Sequence, residues 1–215
     1  MKPEDTNASP LNSLAGTATR RRELLGHRGA IVWLTGLPGS GKSTLANALE
    51  DFLLQHRVMP IVLDGDALRT GLSRGLGFSA TDREENVRRA AEVALLSAAA
   101  GLVAIVALIS PFRAGRAAAA HTARSRGIAF AEIFVNAPLA TCERRDPKGL
   151  YQKARRGQLT GWTGVDSPYE PPTAPALELH TDSETVADSL AKLGQLTLAL
   201  AQATGSFSGA RAAAT

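Results

Sequence analysis

The sequence predicts an α/β fold, a mainly parallel sheet with helices on both faces, and two observations carry that prediction. Strand and helix candidates alternate from residue 30 to residue 203, the order that a parallel sheet with crossover helices imposes. The apolar run Ile31-Val32-Trp33-Leu34 leads into Gly36-Leu37-Pro38-Gly39-Ser40-Gly41-Lys42-Ser43-Thr44, so G-x-x-x-x-G-K-[ST] stands where a strand ends and a helix begins. A chain of 215 residues is one domain by size, large enough to bury a full core without disulfides or metals.

Strands are expected at Ala30–Thr35, Pro60–Leu63, Leu102–Ile109 and Ile128–Val135, with a weaker fifth at Ala176–His180. The first helix, expected over Lys42–Leu54, continues the apolar stripe of Ala46, Leu49 and Leu53. A short helix is expected over Ala67–Arg74; Asp66 before it is a good N-cap residue, the alternative to a functional carboxylate there. Asp82–Ala99 is expected as a long helix, its start set by a Thr81–Glu84 capping box and its inward stripe made of Val87, Ala90, Ala91 and Ala94. Helices are further expected over Ala114–Ser125, Leu139–Arg145 and Ser183–Ala203. Residues 1–24 and 204–215 read as disordered tails, being Ser/Thr/Asn-rich or frayed and lacking periodicity. Pro147 to Pro175, rich in Gly, Pro and basic residues, breaks the rhythm and is expected to be a mobile lid over residues 147–175.

Composition narrows the partners. The chain is 44% hydrophobic and 20% charged, with a net charge of +4. Its pI is 9.6, yet the positive charge is not gathered into one block, and two Trp and two Tyr offer little for base stacking. Nucleic-acid binding is therefore not expected. No run approaches the ~20 unbroken apolar residues of a membrane helix, and no apolar stretch follows Lys2, so neither a membrane span nor a secretory signal is expected. A single cysteine, Cys142, excludes an internal disulfide and suits a reducing, cytoplasmic compartment.

Chemistry is concentrated where strands end. In the glycine-rich loop, residues Gly36 to Thr44 turn N–H groups toward one anion, Lys42 serves the β- and γ-phosphates, and the Ser43 hydroxyl suits Mg²⁺; the ligand read here is a nucleoside triphosphate, ATP. Asp64-Gly65-Asp66 closes the second strand, where one carboxylate could serve Mg²⁺ and the other accept a proton; helix capping alone would explain one aspartate, not two. Helical spacing turns Arg83 inward and puts Asn86 at the margin, while Glu85 and Arg89 project away. An inward arginine needs an anion, and spacing leaves open whether that is an internal carboxylate or a ligand's phosphate or sulfate. Ser110, after the third strand, fits a ligand contact, a phosphate acceptor or ordinary turn chemistry before Pro111. Cys142 reads as buried filler, and His27, His56, His121 and His180 suggest neither a metal cluster nor a nucleophile–base pair.

Longer blocks are more specific. Leu63-Asp64-Gly65-Asp66-Ala67-Leu68-Arg69 and Leu76-Gly77-Phe78-Ser79 through Arg83-Glu84-Glu85-Asn86-Val87-Arg88-Arg89 resemble the adenylylsulfate kinase family. So do Ile109-Ser110-Pro111-Phe112-Arg113, Arg145-Asp146-Pro147-Lys148-Gly149-Leu150-Tyr151, Gly161-Trp162-Thr163-Gly164-Val165-Asp166 and Pro168-Tyr169-Glu170, a resemblance spanning about residues 25–193. It implies a P-loop kinase-type sheet and transfer of the ATP γ-phosphoryl group to the 3′-hydroxyl of adenosine 5′-phosphosulfate (APS), giving PAPS and ADP.

By position, the resemblance implies that Arg69, Arg83 and Asn86 bind the phosphosulfate and ribose, while Phe78 and Trp162 sandwich the substrate adenine. Asp66 would act at Mg²⁺ and the 3′-hydroxyl with Asp64 in support, and Ile109 and Ser110 would line the pocket. Lys148 would reach the phosphates from the lid and Arg145 would lie on the ATP adenine. A homodimer is implied as well. Ser110 matches a serine that the family describes as a phosphoserine intermediate, although in-line transfer requires no covalent stop. The chain departs from the family pattern at Pro38, at Trp162 in place of phenylalanine and at Asn136 in place of aspartate.

Overall fold

A computed structural model describes residues 10–202. Helix α1 spans Pro10–Leu25, followed by β1 (Ala30–Thr35), α2 (Lys42–Gln55), β2 (Pro60–Asp64), α3 (Gly65–Thr70) and α4 (Ala80–Ala99). Then come β3 (Val103–Ala107), α5 (Arg113–Ser125), β4 (Ala129–Asn136), α6 (Leu139–Arg145), α7 (Leu150–Arg155), β5 (Leu177–His180) and α8 (Val186–Ala201). The five strands form one sheet in the order β2-β3-β1-β4-β5, and every pairing is parallel.

All six residues of β1 are buried, because the central strand of a doubly covered sheet has no solvent face. Its side chains alternate between two cores. Val32 and Leu34 pack with Leu45, Leu49 and Leu53 of α2 and Leu193 of α8. Ile31 and Trp33 pack on the other face with Val87, Ala90 and Ala94 of α4 and Ala119 and Ala123 of α5. The parallel order turns the C-terminal ends of the strands toward one edge, where α/β folds bind ligands.

Three expectations change at this level. Residues 10–24 belong to α1 rather than to a disordered tail; polar residues hid a run of good helix formers ending in Arg20-Arg21-Arg22-Glu23-Leu24-Leu25. Its end is fastened to α4, with Arg21 Nη1 donating to Ala99 O at 3.3 Å and Leu25 packed against Gly101. The remaining tail residues lie outside the described residues. The long helix starts at Ala80, not Asp82, because Ser79 is the N-cap and accepts from Asp82 N at 3.1 Å. Asp64, rather than Asp66, caps α3, accepting from the main-chain N–H of Asp66 at 2.9 Å.

The segment expected to be a lid contains α7 and a turn built on Trp162, whose carbonyl accepts from Val165, Asp166 and Ser167 N–H groups. Trp162 and Tyr151 meet edge to face at 5.8 Å and pack with Ala137, Cys142 and Ala154 in a third apolar cluster. The sequence rhythm missed α7 because six residues give less than two helical turns of pattern.

Candidate active site

The strand ends line a cleft of about 610 Å³. On one side the glycine loop curls between β1 and α2. Gly41, the N-cap of α2, has φ +99°, which a residue with a Cβ rarely adopts. Gly36 lies so close to β4 that a Cβ there would be 2.3 Å from Val135 O. Lys42 folds back into the loop it terminates, its Nζ donating to Gly36 O at 3.0 Å, Leu37 O at 2.8 Å and Ser40 Oγ at 3.4 Å. Burial pushes this ammonium down to about 8, with Cys142, Asp64 and Asp66 opposing the shift. Burial also raises the Cys142 thiol, consistent with an inert packing role.

Ser43 Oγ donates to Asp64 Oδ2 at 2.6 Å, so the carboxylate that caps α3 also holds the loop hydroxyl. Asp66 stands clear of both, exposed and paired with Lys148 from the segment opposite. The two aspartates therefore have different surroundings, and the one beside Ser43 is Asp64, not the Asp66 expected as the metal residue. Arg145 crosses the loop from α6, with Nη1 donating to Gly39 O and Thr181 Oγ1, both at 3.2 Å. Thr181, after β5, in turn donates from Oγ1 to Ser40 O at 2.7 Å. Pro38 contributes main chain: its carbonyl accepts from Tyr151 Oη at 3.0 Å. Leu37, Gly39, Ser40 and Thr44 complete the loop and the first turn of α2, and Thr44 lines the cleft. Asn136 is engaged away from it, Nδ2 donating to Glu178 Oε1 at 2.8 Å.

Across the cleft the arginines gather on one ring. The Arg69 guanidinium carbon is 4.5 Å from the Phe78 centroid and that of Arg83 is 5.8 Å away. Neither has a carboxylate partner among the described salt bridges. Arg69 Nη1 donates to Leu76 O and Gly77 O at 3.1 and 2.9 Å. Arg83 Nε donates to Phe78 O at 2.9 Å, Nη1 to Thr163 Oγ1 at 2.7 Å, and Nη2 to Gly161 O. Burial lowers both guanidinium pKa values, and for Arg83 the neighbouring Arg69 lowers it further. The internal-carboxylate explanation for the inward Arg83 is therefore not what the structure shows. Asn86 beside it is buried, and its Oδ1 has no hydrogen-bond partner among the described residues.

Ile109 and Ser110 form the floor between these halves. The Ser110 hydroxyl faces inward, accepting from Trp33 Nε1 at 3.0 Å and donating to Leu108 O at 3.3 Å. The hydroxyl is thus engaged on both sides, at a residue that is 2% exposed. Trp162 lines the cleft near Phe78, but its described ring contact is with Tyr151. Phe78 is half exposed and open to a planar ligand, while the Trp162 indole Nε1 is buried without a hydrogen-bond partner among the described residues.

Residues that the sequence reading left without a role hold these parts together. Thr163 and Gly161 receive Arg83, Tyr151 reaches Pro38, and Arg116 bonds to Ser110 O at 2.6 Å and Glu170 O at 2.8 Å. Arg116 was detectable: it stands at helical spacing with Ala119, Ala120 and Ala123, the buried face of an alanine-rich helix. A phosphate loop facing a second, cationic lobe over one row of parallel strand ends is the build of a P-loop small-molecule kinase.

The adenylylsulphate kinase family model matches residues 28–180. The Mycobacterium tuberculosis APS kinase CysC, solved in complex with AMPPNP and APS, is 47% identical over 79% of this chain and 97% of its own, with a TM-score of 0.76. The protein designated APE1195 is 44% identical over 80% of this chain and 96% of its own, with a TM-score of 0.75. A hexameric APS kinase from Thiobacillus denitrificans is 29% identical over 93% of this chain but only 34% of its own, with a TM-score of 0.62. The chain belongs to the adenylylsulfate kinase family, and is thus an ATP-dependent phosphotransferase.

Proposed function

We propose that this chain transfers the γ-phosphoryl group of ATP to the 3′-hydroxyl of APS, and that the Arg69–Phe78–Arg83–Asn86 group selects the acceptor. One observation carries the choice: among the described residues, two half-buried or buried guanidiniums share an aromatic ring with only neutral hydrogen-bond acceptors, next to a buried amide oxygen without a partner. A ligand that supplies an anion, a planar base and a hydroxyl donor satisfies all of them. A phosphosulfate joined to adenosine has these parts.

In this reading Lys42 and the loop N–H groups hold the triphosphate, and Arg145 covers the donor base. Ser43, with Asp64 bonded to it and Asp66 exposed nearby, is an all-oxygen donor set of the kind that suits Mg²⁺. The ion, when bound, would neutralise charge on the transferring phosphates. Asp66 accepts the proton of the 3′-hydroxyl, and Lys148 turns from Asp66 to the phosphates as the lid segment closes. Phe78 and Trp162 flank the acceptor adenine, which requires the indole to meet the base from the lid. Ser110 and Ile109 shape the floor, so transfer is direct, in line, and without a phosphoserine. The same reading makes the protein a cytoplasmic homodimer; its lone, buried thiol suits a reducing compartment.

The test is incubation with Mg-ATP and APS, with PAPS and ADP measured beside gluconate and AMP as control acceptors. PAPS formed in step with ADP, with neither control phosphorylated comparably, is the expected outcome. No PAPS above background would sink the assignment.

A further inference from the structure

We infer that Arg116, which does not line the cleft, is a positioning residue that ties the acceptor-side floor to the returning end of the lid, so that the two move as one unit. The inference rests on the reading that this side of the cleft holds the acceptor nucleotide.

Arg116 is 2% exposed, and a guanidinium so deeply buried must spend its donors inside the protein. It spends them on three separate parts. Nε donates to Glu132 Oε1 on β4 at 2.5 Å, Nη1 to Ser110 O in the floor at 2.6 Å, and Nη2 to Glu170 O at the end of the lid at 2.8 Å. The Glu132 pair alone would neutralise the charge. The two carbonyls use the remaining reach of the fork, one in the floor and one at the end of the lid.

Each segment needs the tie. Ser110 has φ +38°, a left-handed conformation that costs energy for a residue with a Cβ and persists only where its surroundings over-determine it. Its hydroxyl is fixed by Trp33 and its carbonyl by Arg116, while Thr35 Oγ1 holds the preceding Ile109 O at 2.7 Å. That Thr35 hydroxyl also meets Tyr169 Oη at 3.1 Å, giving a second bridge from floor to lid. The Tyr169 ring lies 5.9 Å from the Arg116 guanidinium carbon. Glu170 N–H donates to Pro111 O at 2.9 Å, the Glu170 carboxylate accepts from Arg113 N–H at the start of α5 at 2.8 Å, and Arg113 Nε donates to Pro171 O at 2.8 Å. The strap Tyr169–Pro171 is thus fastened directly to the residues that shape the floor. At the other end of the same lid turn, Thr163 and Gly161 hold Arg83. An acceptor that rearranges Arg83 pulls on a turn anchored through Arg116 to the floor beneath it.

Arg116→Lys tests this, because lysine keeps the charge opposite Glu132 but presents one nitrogen where three acceptors lie in different directions. In the full-length enzyme, amide hydrogen exchange over residues 161–171 should quicken about tenfold. The Michaelis constant for APS should rise about tenfold while that for ATP moves by less than about twofold. Exchange and the APS constant both unchanged would overturn the inference. So would faster exchange with no selective change for APS, or equal loss for both substrates together with a lower Tm. If Arg116→Lys does not fold, Arg113→Ala, which removes an exposed strap contact and leaves the buried pair, should quicken the same exchange about threefold; unchanged exchange there is equally fatal. A wild-type enzyme that forms no PAPS would sink the acceptor assignment instead, and the exchange measurement would then decide the tether by itself.

Discussion

The two sides of the cleft are built by opposite routes. On the donor side, the partners of Lys42 come from residues 36, 37 and 40, so its ammonium is held by the loop that it terminates. On the acceptor side, Arg83 takes Phe78 from the adjoining loop but Thr163 and Gly161 from a segment about 80 residues away. A phosphate entering the first site finds a loop already shaped for it. An anion entering the second must compete for a guanidinium that is holding the lid turn. Under the proposed function, the donor site is preformed, whereas acceptor binding is coupled to lid geometry.

A crossed pair of variants breaks or sharpens that contrast most strongly. Lys42→Met should lower kcat/KM by about a thousandfold through lost phosphate charge stabilisation, with APS affinity within about twofold by calorimetry. Arg83→Lys should raise the Michaelis constant for APS by about thirtyfold and leave ATP affinity within about twofold, since an ammonium cannot replace the fork. Should Arg83→Lys weaken ATP as much as APS, the two sides are not separate sites and the comparison fails.

The aspartates offer a smaller, internal version of the same contrast. Asp64 is built into the donor side, bonded to Ser43 and capping α3; Asp66 is exposed and reaches across to Lys148. Asp66→Ala should lower kcat about a hundredfold with ATP affinity and Tm nearly unchanged. Asp64→Ala should instead weaken ATP binding and cost about 1 kcal/mol of stability, the worth of a lost cap. Steady-state kinetics with thermal melts separate the cases, and identical profiles for the two variants would mean that the division of labour is wrong.

What could be read from the sequence follows the same line. The loop from Gly36 to Thr44, the alternating elements and the inward turn of Arg83 depend on local spacing, and the structure has each of them. The caps are Ser79, two residues before Thr81, and Asp64, two residues before Asp66. Several Ser, Thr and Asp residues crowd each helix start, and only backbone geometry decides which one turns in. The neutral partners of Arg83, the engaged hydroxyl of Ser110 and the three-way grip of Arg116 were illegible. Each joins segments brought together by the sheet order, and single-sequence periodicity carries no record of such meetings. The block Pro168-Tyr169-Glu170 was visible as a motif, but its task became clear only when Thr35, Arg113 and Arg116 appeared around it.

The cradle carries a final, milder consequence, because it buries Lys42 among the loop carbonyls of Gly36 and Leu37. Burial lowers the folded-state value to about 8, against 10.5 for an exposed lysine. Between those values the unfolded chain holds a proton that the folded empty enzyme has released, so this residue makes the empty enzyme more stable as pH rises through the window. Affinity for ATP runs the other way. Only the ammonium form supplies charge to the phosphates, so the ATP dissociation constant should climb above about pH 8, approaching tenfold per pH unit. Lys42→Met should abolish both trends, which separates them from the titration of other lysines. A dissociation constant that stays flat from about pH 7 to 9.5 in the wild type would mean that the loop carbonyls of Gly36 and Leu37 hold the proton against burial. In that event the donor cradle is preformed in charge as well as in shape, and the contrast with the acceptor side is stronger than the geometry alone implies.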